Sequence, residues 1–150
     1  MTAGCVFCRI LAGEAPARVV FEDGACVAFL DHRPLFPGHT LVVPRAHIAT
    51  LADLPADLLA PFFGAVQLLA RAVERGLEAD GSFVALNNRV SQSVPHLHAH
   101  VVPRCYKDGL KGFFWPRHPY RDEAEMRDVQ ERIRAAAGAI ARPSTHAGGR

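Results

Sequence analysis

The chain has 150 residues, is 49% hydrophobic and 21% charged, and carries a formal net charge of +2. That length suits one domain with a real core, and the near-neutral balance argues against a nucleic-acid-binding surface. No uninterrupted apolar run reaches the ~18 residues of a membrane span. The start, Met1-Thr2-Ala3-Gly4-Cys5, lacks the basic and apolar regions of a secretion signal, so the expected location is the cytoplasm, with no membrane partner.

Residues 1–17 are turn-rich, with one helical turn expected around Phe7 to Leu11. Arg18 to Phe21 and Cys26 to Leu30 read as a hairpin turning at Glu22-Asp23-Gly24. Asp31 to Gly38, with Pro34, Pro37 and Gly38, reads as a loop, and His39 to Pro44 as a buried strand. Asp53 or Asp57 is positioned to cap a helix running to about Leu77, in which Leu58, Leu59, Phe62, Phe63, Val66, Leu69, Ala70 and Val73 recur at helical spacing. Phe83 to Leu86 and His96 to Pro103 read as the fourth and fifth strands. Arg121 to Ala141 reads as a second helix, and Pro143 to Arg150 as a disordered tail. The pattern predicts one α+β domain over residues 1–142, built on an antiparallel sheet.

The densest chemical signal is His96-Leu97-His98-Ala99-His100. On a strand, alternate side chains share a face. The three imidazoles would point one way and Leu97, Ala99 and Val101 toward the core. Such a row makes a poor core and an unusual surface. It suits phosphorus chemistry, because a neutral imidazole with pKa near ~6.5 is an effective nucleophile. The phosphohistidine it forms divides one hard step into two, and neighbouring histidines can donate to the phosphate oxygens.

Here a family resemblance becomes specific. His96-Leu97-His98-Ala99-His100-Val101-Val102 resembles the signature of the histidine-triad (HIT) superfamily. Cys5-Val6-Phe7-Cys8-Arg9-Ile10, Phe21-Glu22-Asp23, Ala28-Phe29-Leu30-Asp31, Pro37-Gly38-His39-Thr40-Leu41-Val42-Val43-Pro44 and Gln92-Ser93-Val94 resemble further landmarks of that family in the same order, over residues 4 to 104. The resemblance implies a HIT-like fold and a homodimer whose subunits share a continuous sheet. It implies His98 as nucleophile, His100 as a hydrogen-bond donor to phosphate, and Ser93 as the hydroxyl beside the phosphate or leaving group. Asp31 would hold the ribose hydroxyls, Phe7, Ile10, Phe29 and Leu41 the base of a purine nucleoside phosphate, and Asn87 and Gln92 would complete the nucleotide site. The four apolar residues read equally well as core, and Asp31 as a turn residue. The chain departs from the family in one loop, Asn88-Arg89-Val90-Ser91, which is short and lacks glycine. That makes Arg89 an additional candidate phosphate contact.

Cys5 and Cys8 form a C-x-x-C. A redox pair would need a preceding strand in a βαβ context, and half a zinc site would need two more ligands. His47 and His96 are available, and many bacterial relatives resemble this arrangement. The resemblance therefore implies a closed, structural Zn²⁺ site of Cys5, Cys8, His47 and His96. The alternative is a surface His47 and two buried thiols. Cys26 and Cys105 read as buried small hydrophobes.

After the triad, Arg104 to Arg121 mixes basic residues with Tyr106, Phe113, Phe114, Trp115 and Tyr120. It could favour a polyphosphate or bulky leaving group through stacking and charge, or simply pack an interface. The leading function is hydrolysis of a nucleoside 5′-phosphoramidate or dinucleoside polyphosphate through a covalent nucleotidyl-histidine. A nucleotidyltransferase, or a regulatory nucleotide-binding protein with incidental catalysis, are the alternatives.

Overall fold

A computed structural model describes residues 4–110 and 118–141. They belong to two compact units, within Met1–Leu110 and within Lys111–Arg150. Phe113, Phe114, Trp115 and the expected tail from Pro143 to Arg150 lie outside the described residues.

The first unit runs α1 (Val6–Leu11), β1 (Val19–Glu22), β2 (Cys26–Leu30), β3 (Thr40–Pro44), a 3-10 turn (Leu51–Asp53), α2 (Ala56–Gly76), β4 (Gly81–Leu86) and β5 (Ala99–Arg104). The five strands form one antiparallel sheet in the order β1-β2-β3-β5-β4. This is the α+β architecture that the sequence predicts.

Local chemistry explains the elements. Asp23 closes the first hairpin, its Oδ1 accepting the N–H groups of Ala25 and Cys26 at 2.8 and 2.7 Å. β2 and β3 then pair in unbroken register from Cys26↔Pro44 to Leu30↔Thr40. Both strands are almost wholly buried, because both faces of the sheet are covered. On one face Cys26, Ala28, Val42, Leu97, Ala99 and Val101 pack with Phe62, Ala65, Val66, Leu69 and Val73 of α2. On the other, Val27, Phe29, Leu41 and Val43 pack with Cys5, Phe7 and Cys8 around α1. Complete burial of one such large side chain contributes roughly 1.5–3 kcal/mol.

Three details differ from the sequence reading. Neither Asp53 nor Asp57 caps α2, whose N-cap is Pro55. Asp53 instead accepts from the Thr50 hydroxyl and N–H at 2.6 and 3.2 Å, closing the 3-10 turn ahead of the helix. Second, α2 is 21 residues long and apolar enough, by length and composition, to cross a membrane. A run-length test passes over it because charges interrupt the stretch, and its buried residues face the core of the first unit. Third, Cys105 is exposed rather than buried, since it follows the last strand on a surface turn. Cys26 is buried as expected, and burial pushes its thiol up to about 11.

In the second unit, α3 (Glu123–Ala141) is capped by Asp122, whose Oδ1 accepts the Glu125 N–H at 2.8 Å. An i,i+4 pair, Arg132–Asp128 at 3.6 Å, lies along its exposed surface.

Gly38 ends the loop before β3 with φ +96°, and a Cβ there would lie 2.2 Å from Leu77 Cδ1. Gly38→Ala is expected to cost about 1–3 kcal/mol, read as a lower Tm. Adding Leu77→Ala should relieve the contact and leave the backbone strain, so recovery stays partial.

Candidate active site and metal centre

The face of the sheet that carries α1 also carries the histidines. Leu97, Ala99 and Val101 point to α2, so the alternation expected of the triad is present. β5 itself starts at Ala99. His96 and His98 precede the ladder on a segment that the Leu97 N–H anchors to Ile48 O at 2.6 Å.

His96 is fully buried, and its Nε2–H donates to Pro44 O at 2.9 Å. That bond leaves the Nδ1 lone pair facing the cysteines, 3.5 Å from Cys5 Sγ and 3.7 Å from Cys8 Sγ. His47 brings its Nδ1 to 3.2 Å from Cys8 Sγ. One donor atom from each of Cys5, Cys8, His47 and His96 lies within 4.8 Å of the others. Two thiols and two imidazoles so gathered match the ligand set of a closed tetrahedral zinc site, and the Pro44 carbonyl is the outer partner that orients a ligating histidine. Burial lowers the pKa of His96 and raises that of Cys5. The first shift favours the neutral imidazole that a metal requires. The second opposes the thiolate that a metal requires, so a bound cation would have to supply that stabilisation.

His98 is 2% exposed, and its Nδ1–H donates to the backbone oxygen of His96 at 2.7 Å. The tautomer follows from that bond and leaves Nε2 as the free lone pair. His100 is fixed by a longer chain. The Leu35 N–H donates to His39 Nδ1 at 3.2 Å, so His39 Nε2 carries the proton and donates to His100 Nδ1 at 2.9 Å. His100 Nε2–H is then a donor. Burial, followed by the neighbouring His98 and His39, holds His100 down to about 4, and burial likewise lowers His39. From the sequence, His39 is expected at the head of a strand and within a family landmark, with no site role. Its signal was there, as a polar residue opening a fully buried run. Asp31, His39 and His100 also bring donor atoms within 4.8 Å, but the two imidazoles are bonded to each other.

These residues line an open cleft of about 1140 Å³. It gathers Phe7, Ile10, Phe29, Asp31, Leu41, Ser93, His98 and His100. Phe7 lies both in the buried cluster around α1 and in the cleft lining. It is 6% exposed in the core around α1, and its ring meets Phe29 and His98 edge-on at 5.4 and 5.2 Å. Asp31 Oδ1 accepts the Arg33 N–H at 2.8 Å, and Oδ2 lies 3.7 Å from His39 Nδ1. Asn87, Gln92 and Arg89 are outside this lining. The Gln92 amide instead holds the loop, accepting from the Arg89 N–H and donating to Ala49 O. Asn88 Oδ1 accepts the Leu51 N–H. Without glycine, the loop places Arg89 and Ser91 at φ 66° and 60°, a left-handed conformation that costs side-chain-bearing residues about 1 kcal/mol or more each. Arg18, His32 and Arg33 also line the cleft, and the sequence reading named none of them as site residues.

Residues 12–106 match the HIT domain family. The chain belongs to that family. A HIT-like protein of Mycobacterium tuberculosis is 42% identical over 134 residues, covering 86% of this chain and 92% of the relative. An adenosine 5′-monophosphoramidase of Schizosaccharomyces pombe is 32% identical, covering 86% and 95%. Among solved structures, a HIT family member from Bacillus subtilis superposes with TM-score 0.79 at 35% identity, covering 95% of this chain and 99% of its own. A zinc-bound histidine-triad protein from Mycobacterium smegmatis gives 0.68 at 39% identity, covering 89% and 97%.

The depressed His100 gives this HIT protein a pH signature. Between its ordinary 6.5 and about 4, the unfolded chain binds a proton that the folded chain refuses. The neutral residue's contribution is complete above pH 6.5 and is lost as pH falls toward 4. Allowing for partial exposure, His100→Asn should flatten that loss by roughly 1–3 kcal/mol, measured by urea unfolding across the interval.

Proposed function

We propose that this HIT protein hydrolyses nucleoside 5′-phosphate derivatives, a phosphoramidate or a dinucleoside polyphosphate, with His98 as the nucleophile. The observation that supports this most directly is the bond from His98 Nδ1–H to the His96 carbonyl. That bond engages Nδ1 and leaves Nε2 as the other ring nitrogen of a residue lining a cleft that also holds a carboxylate and an apolar wall. The S. pombe relative's activity on adenosine 5′-monophosphoramidate supports the same chemistry.

In this reading Phe7, Ile10, Phe29 and Leu41 hold a purine base, and Asp31 accepts from the ribose hydroxyls. Nε2 attacks the α-phosphorus, a bond forms between them, and the bond to the leaving amine or polyphosphate breaks. The leaving group departs with the electron pair and takes a proton from the Ser93 hydroxyl, which regains one from solvent. His100 Nε2–H donates to a non-bridging phosphate oxygen. Water then attacks phosphorus and gives up a proton to solvent, the bond to His98 breaks with its electron pair returning to Nε2, and the nucleoside monophosphate leaves. Cys5, Cys8, His47 and His96 would hold Zn²⁺ in a structural role, since no ligand position stays open. A homodimer with a continuous sheet would cover the exposed Leu59, Phe63 and Val84.

Wild-type protein should turn over adenosine 5′-phosphoramidate or diadenosine tetraphosphate at least about a thousandfold faster than His98→Ala. Equal rates on both substrates would remove the hydrolase reading. Metal analysis of protein purified without added zinc should give close to one equivalent per chain. Less than about a tenth of that in folded protein would remove the zinc.

A further inference from the structure

Two arginines among the residues lining the proposed nucleotide cleft, Arg18 and Arg33, have no part in the reaction outlined above. Among the described residues, Arg45, Arg104, Arg121 and Arg132 each pair with a carboxylate. Arg18 and Arg33 are exposed and have no ion pair or side-chain hydrogen bond there.

Their place in the fold is specific, because both stand next to Asp31. The Leu30 N–H donates to Arg18 O at 3.0 Å, which sets Arg18 across from the residue that precedes Asp31. The Arg33 N–H donates to Asp31 Oδ1 at 2.8 Å. Asp31 is the one carboxylate in the lining, so this end of the cleft holds two permanent positive charges against one negative charge. Apart from Arg18 and Arg33, the lining holds no lysine or arginine. The permanent cations of the lining therefore flank Asp31, the residue assigned to the ribose, whose carboxylate also lies within 4.8 Å of a ring nitrogen of His100.

An unmodified ribose offers that end only neutral hydroxyls. Two unpaired guanidiniums at the mouth of an apolar cleft instead favour an anion, and their planar forks match the oxygens of a phosphate. We propose that Arg18 and Arg33 form an anion subsite for nucleotides carrying a second phosphate on the ribose 2′ or 3′ oxygen. Asp31 then accepts from the one ribose hydroxyl that remains, while its Oδ1 keeps the Arg33 N–H. The inference rests on the nucleotide reading of the cleft and adds a substrate class to it.

Calorimetric titration of the full chain, as purified, with AMP, adenosine 2′,5′-bisphosphate and adenosine 3′,5′-bisphosphate tests this. One bisphosphate should bind at least about tenfold tighter than AMP at low salt, and the advantage should shrink as salt rises. In Arg18→Gln/Arg33→Gln the ratio should fall below about twofold, with each single variant between the two. A melting curve confirms folding, which two exposed positions should preserve. Equal wild-type binding of all three ligands overturns the subsite, as does a double variant that keeps the preference. A double variant that weakens all three alike assigns the arginines to stacking on the base and also overturns it. If neither AMP nor either bisphosphate binds, the nucleotide reading itself fails, which is distinct from AMP binding without preference.

Discussion

His96 is fully buried, and its polar atoms reach three different parts of the protein. Its Nε2–H reaches the end of β3 at Pro44, its Nδ1 faces the two cysteines that bracket the start of α1, and its backbone oxygen holds His98. A buried imidazole must place both ring nitrogens with partners or lose the desolvation free energy of each. Here that requirement ties the N-terminal turn, the central strand and His98 into one arrangement. A metal in the cysteine–histidine cluster would tighten it by constraining the same ring.

The second constraint is the hydrogen-bond chain from Leu35 through His39 to His100. It begins at a backbone N–H, which can only donate, and this fixes the direction of every later bond. The result is a donor on His100, beside His98 with ring centroids 5.0 Å apart. Burial keeps His100 neutral at physiological pH, so it adds no positive charge beside its neighbour.

The two-faced sheet makes room for both arrangements. The α2 face carries most of the core. Among the described residues of the first unit, α1 packs on the opposite face, and side chains of that face also line the cleft. Phe7 stands at the boundary, where its ring meets Phe29 on one side and His96 and His98 on another. Phe7, Phe29 and Leu41 therefore belong at once to the buried cluster and to the cleft lining.

The sequence by itself determined the strands, the long helix, the α+β class and the common face of the triad, because strand alternation and helical spacing are local properties. The cysteine and histidine ligand candidates were legible through their pattern and family resemblance. Tertiary structure alone decided what depends on distant chain segments meeting. His39 became a partner of His100 across 61 positions. Gln92 was drawn into holding its loop against Ala49, and Arg18 came to lie beside Asp31 through β1–β2 pairing. The loop Asn88 to Ser91 shows the boundary most plainly. Its lack of glycine was visible in the sequence, but only the folded chain shows that Arg89 and Ser91 adopt the left-handed conformation anyway. Leu51 and Gln92 bond that loop directly, and Ala49 anchors the Gln92 amide in turn; the contacts with Ala49 and Leu51 cannot be read from spacing.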